Sequence, residues 1–136
     1  MKPRTLIAAL GVAATLAACA STRSNNTPSV AFIEPVDGAV VSSPFKVRFA
    51  VSGVEVKPAG EIVPNTGHHH LFIDDAGAPQ GVVIPADSRH LHYGKGQTEA
   101  EISLPPGAHT LTMQFANGAH QSYGPGMSRT IHITVK

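Results

Sequence analysis

Residues 45–52 have the sequence Phe-Lys-Val-Arg-Phe-Ala-Val-Ser, and this stretch decides the fold class. Its odd-numbered positions are all apolar, whereas Lys46, Arg48 and Ser52 fall between them. Strict alternation places one face of a β-strand on a core and the other toward solvent. We therefore predict a half-buried strand in this region.

The same alternation returns near residues 99–104 and 130–135. Further strand candidates are residues 30–33, 68–74, 82–84, 90–93 and 109–115, separated by turn signals rich in Gly, Pro and Asp. No segment after Ser29 has helical periodicity. Seven or eight short strands with this spacing predict an all-β sandwich. Residues 35–39 resemble the first hairpin of bacterial immunoglobulin-like domains, so we expect an immunoglobulin-like β-sandwich of short antiparallel strands.

The first eighteen residues have the pattern of an export signal, because Lys2 and Arg4 precede an apolar run that is too short to span a bilayer. The run closes on Leu-Ala-Ala-Cys at residues 16–19, which resembles the bacterial lipobox. We predict cleavage after residue 18, a lipid on Cys19 and attachment to a membrane facing the periplasm. The alternative is an ordinary secretory signal with a chance cysteine. Ala20 and Ser21 lack the aspartate that retains some lipoproteins in the inner membrane, which favours the outer membrane.

The composition of the mature chain excludes several kinds of chemistry. Cys19 is the only cysteine, and its acylation leaves no disulfide, thiolate ligand or cysteine nucleophile. Removal of Lys2 and Arg4 leaves eight basic residues against nine acidic ones, so nucleic acid is not an expected partner. Residues 19–29 are small and polar and predict a flexible tether, and residues 30–136 provide one domain.

Two His-x-His pairs are the chemically informative feature of the sequence. His68 and His70 should project from one face of a strand, with His69 on the other, and His90 and His92 form a second pair on one face. Imidazole suits zinc, copper and nickel, and neighbouring strands would bring the two pairs together. The alternative is that the rings are structural, bonded to each other, to Asp74 or Asp87, or to loop carbonyls.

Three other histidines have different predicted roles. His120 lies in a loop from which it could reach either pair, so it is the further metal-ligand candidate. His109 follows a Pro-Pro-Gly turn and shares its face with apolar residues, which resembles the corner position of immunoglobulin-like domains and indicates a structural role. His132 alternates outward from Ile131 and Ile133 and is interpreted as a surface residue.

Three segments carry a specific resemblance: residues 67–74 (GHHHLFID), 84–87 (IPAD) and 90–99 (HLHYGKGQTE). Together they resemble the bacterial domain of unknown function 4399, over a region from about Phe45 to Val135. The resemblance implies a shared histidine signature with no established activity. That signature would comprise His68, His69, His70, His90, His92, His109 and His120. Tyr93 replaces a common phenylalanine, and residues 122–127 depart from the family's His- and Pro-rich loop.

The sequence is compatible with three functions. The first is a non-catalytic lipoprotein of the cell envelope that binds copper or zinc through His68, His70, His90, His92 and His120. The second is a structural or interaction lipoprotein, in which the histidines hold long loops together and the sandwich docks another envelope component. Beside the metal-ligand candidates, supporting roles are expected for His69, His109, Asp74, Asp87 and Glu99. The third is a zinc hydrolase or hydratase with Glu99 or Asp87 as base, but no metalloprotease motif or nucleophile elbow is present.

Overall fold

The computed structural model describes residues 26–136, and nine strands form within them. They are β1 (Ser29–Glu34), β2 (Ala39–Val41), β3 (Phe45–Ser52), β4 (Glu55–Val56), β5 (Thr66–Ile73), β6 (His90–His92), β7 (Glu99–Ile102), β8 (Gly107–Ala116) and β9 (Ser128–Val135). One turn of 3-10 helix, Pro125–Met127, precedes β9. The predicted signal peptide, Cys19 and the first part of the tether lie outside the described residues.

The strands form two sheets that pack as a sandwich. One sheet has the order β1-β3-β7, and the other has the order β2-β9-β8-β5, with β4 and β6 both paired to β5. The separation of the first, third and seventh strands from the fifth, eighth and ninth follows the two-sheet arrangement of immunoglobulin domains. The prediction of an all-β immunoglobulin-like sandwich is therefore confirmed.

Not every pairing is antiparallel, which corrects part of that prediction. β2 runs parallel to β9, and β4 runs parallel to β5. The hairpin predicted at residues 35–39 is also wrong, because β1 pairs with β3 whereas β2 crosses to the other sheet. The crossing is fixed by Gly38 N, which donates to His132 O at 2.7 Å, and by Lys136 N, which donates to Val41 O at 2.9 Å.

The strand predicted at residues 82–84 does not form, and only one bridge, between Val83 and Gln121, occurs there. Pro85 follows at once and has no N–H to donate to a ladder. The segment instead crosses the second sheet as a loop. Three residues ahead of β1, Asn26 Nδ2 donates to Ser52 Oγ at 3.1 Å.

Alternation along the strands explains the core between the sheets. Val47 and Phe49 of β3 are buried, whereas Lys46 and Arg48 point outward. Arg48 lies between two carboxylates, with its Nε 3.8 Å from Glu34 Oε1 and 3.7 Å from Glu99 Oε2. The facing sheet contributes fully buried side chains from β5 and β8, namely Leu71, Leu111, Met113 and Phe115.

The outer face of the second sheet is also buried, at strand β5. All eight residues of β5 are buried, and Phe72 on the outer face packs with Ile84 and Ala116 in a second apolar cluster. Gln114 of β8 holds the covering loops in place, because its Oε1 accepts from Ala78 N at 3.0 Å and its Nε2 donates to Gly124 O at 3.1 Å. These loops therefore shield the polar residues on the outer face of β5 from solvent.

Within residues 26–136, the structure contains no helix with the length and apolar character needed to cross a bilayer.

Candidate metal centre

The central strand β5 brings two imidazole rings side by side on its outer face. His68 and His70 are two positions apart, so they share a face as the sequence predicts. Their Nε2 atoms lie 3.0 Å apart, and the two residues are 0% and 1% exposed. A pair of neutral imidazoles is thereby fixed beneath the loops.

His92 joins this pair because β6 is hydrogen-bonded to β5. The register sets His92 opposite His70, and the centroids of these two rings are 5.1 Å apart. The His92 ring also lies 5.0 Å from that of His68, nearly perpendicular to it. Gly94 leaves the space that the ring occupies, since a Cβ at Gly94 would lie 2.2 Å from His92 Cε1.

His120 completes the group from the loop that follows β8. Its Nδ1 lies 3.2 Å from His68 Nε2. The backbone of His120 has φ of 65°, a left-handed conformation that is unfavourable for a residue with a side chain. Asn117 fixes this turn, because its Oδ1 accepts from Ala119 N and Gln121 N, both at 3.0 Å.

The four rings form a compact nitrogen-only group. One ligand atom from each of His68, His70, His92 and His120 lies within 4.8 Å of all the others. The edge of a tetrahedral zinc site with imidazole ligands is about 3.3 Å, from Zn–N bonds of about 2.0–2.1 Å. The observed spacings of 3.0 and 3.2 Å are close to that value. These histidines therefore lie close enough to hold one metal ion.

The protonation state of the two buried rings fits an ion at this position. Burial lowers the pKa of His68 to about 4, and the neighbouring His92 and His120 lower it further in the same direction. Burial, followed by repulsion from His68 and His92, lowers the pKa of His70 to about 3. Both rings are therefore neutral near pH 7 and have lone pairs available. Nε2 of each ring faces the other rings, so Nδ1, which is buried without a hydrogen-bond partner in the protein, would carry the proton when Nε2 binds an ion.

His90 does not belong to the group, although the sequence places it among the candidate ligands. It lies opposite Phe72, two pairs further along the ladder than His92, and the centroids of the His90 and Phe72 rings are 4.7 Å apart. Its Nδ1 is 2.8 Å from Asp87 Oδ1, and its Nε2 is 3.3 Å from Asp75 Oδ2. His90 thus anchors the loop before β6 with Asp87 as its partner.

His69 and His109 have positions that suit supporting roles. His69 points between the sheets, with its ring centroid 5.0 Å from Phe115 and 5.2 Å from Phe49. His109 Nε2 lies 2.9 Å from Pro105 O and its Nδ1 lies 2.8 Å from Asp74 Oδ2. The hydrogen bond to Asp74, with that to Pro105, raises the pKa of His109. Because both acceptors favour an N–H donor, the protonated ring links the turn before β8 to the end of β5.

The remaining candidates lie away from the four rings. Glu99 belongs to β7 in the other sheet and pairs with Arg48. The Asp87 carboxylate is hydrogen-bonded to the ring of His90 and to Arg89 N, which donates to Oδ1 at 2.9 Å. His132 is on the surface, with 74% of its side chain exposed. Neither acidic residue that was considered as a catalytic base is brought to the cluster.

Several residues that build the site are absent from the sequence-based prediction. Gly94 makes room for His92, and Gly118 lets the loop before His120 approach Glu61, whose carbonyl oxygen would be 2.1 Å from an added Cβ. Asn117 followed by Gly118 is a turn signal, so this part of the site was detectable. The role of Gly94 depends on the rotamer of His92, which no local pattern specifies.

Comparison with known proteins identifies a family. A family model described as "Domain of unknown function (DUF4399)" matches residues 47–136, which include all four clustered histidines. No curated protein and no solved structure matches the chain.

Proposed function

The chain belongs to the family described as domain of unknown function 4399, and we propose that it is a non-catalytic lipoprotein of the cell envelope that binds a transition-metal ion through His68, His70, His92 and His120. The observation that carries the proposal is the mutual approach of four imidazole nitrogens within 4.8 Å. Two strands and one loop supply them, so only the folded domain assembles the group.

The donor set favours copper or zinc. Imidazole nitrogen binds Zn(II) and Cu(II) well, whereas Ca(II) and Mg(II) prefer oxygen ligands. The four-residue group contains no carboxylate. Four protein ligands also fill a tetrahedral zinc site, while catalytic zinc sites usually keep one position for water. This count supports a binding role over hydrolysis.

A structural role for the rings has its own supporting observation. The contacts of 3.0 and 3.2 Å that join His68 to His70 and to His120 are also hydrogen-bond distances. In that role the cluster would fasten the loop of residues 117–124 to β5 and prepare a surface for another envelope protein. The two functions predict different responses to metal.

Titration of the whole protein with Zn(II) and Cu(II) separates these functions. The protein is purified through a tag that contains no histidine, and calorimetry follows each addition. We expect saturation at one ion per chain with a dissociation constant below roughly 1 µM, since an assembled set of four neutral imidazoles needs little rearrangement. Absence of saturable binding, with unchanged melting in chelator, would leave the structural role.

The lipid anchor is a separate part of the proposal, supported by the lipobox-like residues 16–19. Replacement of Cys19 by serine should prevent acylation, because serine has no thiol with which to form the thioether. We expect the wild-type protein in the detergent phase after phase partitioning and the variant in the aqueous phase. Equal retention of both proteins in the detergent phase would contradict the anchor. A His132→Ala protein is a suitable control, as that side chain lies on the surface.

A further inference from the structure

The four proposed ligands fall into two classes by burial and by support. His68 and His70 are buried on β5, which is paired on both sides, with Ala116 and Gln114 of β8 opposite them. His92 is exposed at the end of a three-residue edge strand. The ligand set is therefore firmly held on one side and accessible on the other.

His120 is partly exposed, but its loop is held by several hydrogen bonds. Beyond the two bonds to Asn117 Oδ1, Gly60 N donates to Gly118 O at 2.9 Å and Ile84 N donates to His120 O at 2.9 Å. Movement of this loop would require breaking contacts with two other segments. The His92 side chain, by contrast, is exposed to solvent.

The space around His92 is limited on one side by Gly94. A methyl group at Gly94 would lie 2.2 Å from His92 Cε1 and 2.4 Å from His92 Nε2. The ring can turn outward to avoid such a group, because its other side faces solvent. His92 is thus the ligand whose bond to an ion can be broken with the least disturbance of the fold.

We infer that a bound ion is exchanged at His92, and that the domain passes its metal to an acceptor molecule that presents a neutral nitrogen donor such as imidazole. The inference rests on the proposed function. The bond from His92 to the ion would break as a bond from the incoming nitrogen forms, with no change in the charge of the ion and no electron transfer. His68, His70 and His120 would keep the ion bound during this first exchange, and their three bonds would then be replaced in turn by further nitrogen donors of the acceptor, so that no free ion is released.

The test is a stopped-flow measurement of Zn(II) release from the loaded protein to an excess of free histidine. We expect the rate to rise in proportion to the histidine concentration, because the incoming ligand takes part in the slow step. A rate independent of histidine concentration would overturn the inference, since the ion would then leave by simple dissociation. Equilibrium titration of the same sample separates this failure from failure of the proposed function, which would show no binding at all and would overturn both.

A matched pair of glycine variants tests the assignment of His92. Gly94→Ala should crowd the ring out of the site and accelerate release about tenfold, whereas Gly126→Ala should leave the rate unchanged because a Cβ there meets nothing within 4 Å. His92→Ala should also accelerate release while retaining measurable binding. Equal release rates for wild type, Gly94→Ala and His92→Ala would overturn the role of His92.

Discussion

Replacement of His70 by alanine should lower the affinity of the protein for Cu(II) or Zn(II) by about a hundredfold or more. Loss of a residue that merely supports a ligand costs about 10–100-fold in affinity, and a direct ligand costs at least as much. His70 is buried, so neither water nor a neighbouring side chain readily replaces it. Calorimetric titration of the variant, beside the wild type, measures the loss.

Two control variants distinguish a lost ligand from a weakened fold. His132→Ala removes an exposed imidazole and should not change the affinity. His69→Ala removes a buried imidazole from the core between the sheets, so it should lower the melting temperature while the ions still bind. An affinity of the His70→Ala protein equal to that of the His132→Ala protein would contradict the proposed site. Melting curves recorded in chelator show which variants lose stability without metal.

Acid should strongly destabilise the metal-free domain. Burial lowers the pKa of His68 and of His69 to about 4, and that of His70 to about 3. In the unfolded chain these rings have a pKa of about 6.5, so the unfolded state takes up protons first as the pH falls. Their contribution to stability is present above about pH 6.5 and is lost progressively toward pH 4.

The size of this effect is large relative to the stability of a small domain. By pH 5 each buried ring lowers the free energy of unfolding by about 2 kcal/mol, and three rings together lower it by roughly 6 kcal/mol. Total stabilities are typically about 5–15 kcal/mol. We therefore expect the midpoint of urea unfolding, measured in chelator, to fall steeply between pH 7 and pH 5.

A His69→Phe variant is the sharpest check on the acid effect. It removes one of the three buried rings, and it leaves the four proposed ligands in place. Its stability should depend less steeply on pH than that of the wild type. The slope of unfolding free energy against pH should correspond to the uptake of roughly one proton fewer on unfolding. A stability that stays constant from pH 7 to pH 5 in the wild type would refute the assignment of buried neutral rings.

The low pKa values also change the expected pH range of metal binding. Histidines with an ordinary pKa of about 6.5 would lose their metal mainly between pH 7 and pH 5. Because burial keeps His68 and His70 neutral well below pH 6.5, direct competition from protons at these two ligands begins only nearer pH 4. Unfolding of the metal-free domain, rather than protonation of the folded site, should therefore govern metal loss at mildly acidic pH.

Much of this arrangement follows from periodicity. Alternation predicts the strands at residues 45–52 and 130–135, and it assigns His68 and His70 to one face and His69 to the other. What periodicity does not specify is the position of one strand along its neighbour. His90 was predicted beside His92 in the site, but the register places Phe72 opposite it, and Asp87 forms a local hydrogen bond with its ring.

The errors in the fold have a similar origin. β2 and β4 contain only three and two residues, which is too little sequence for a period to be recognised. Their parallel pairing depends on contacts with strands that are distant in the chain, so the turn at residues 35–39 was mistaken for a hairpin. The position of His120 also depends on tertiary context, since its left-handed backbone is maintained by Asn117 and by contacts with residues near Gly60.

The parallel pairing of β2 with β9 has a mechanical consequence. Ala39, Val40 and Val41 lie beside Ile133, Thr134 and Val135, near opposite ends of the folded domain's sequence. A force that pulls the start of β2 away from the end of β9 acts along these two strands rather than across them. The hydrogen bonds between them are then loaded in shear and must yield together, whereas the bonds of a hairpin pulled from its open end separate one after another. The pairing of β2 with β9 therefore gives the domain resistance to stretching between these two strands.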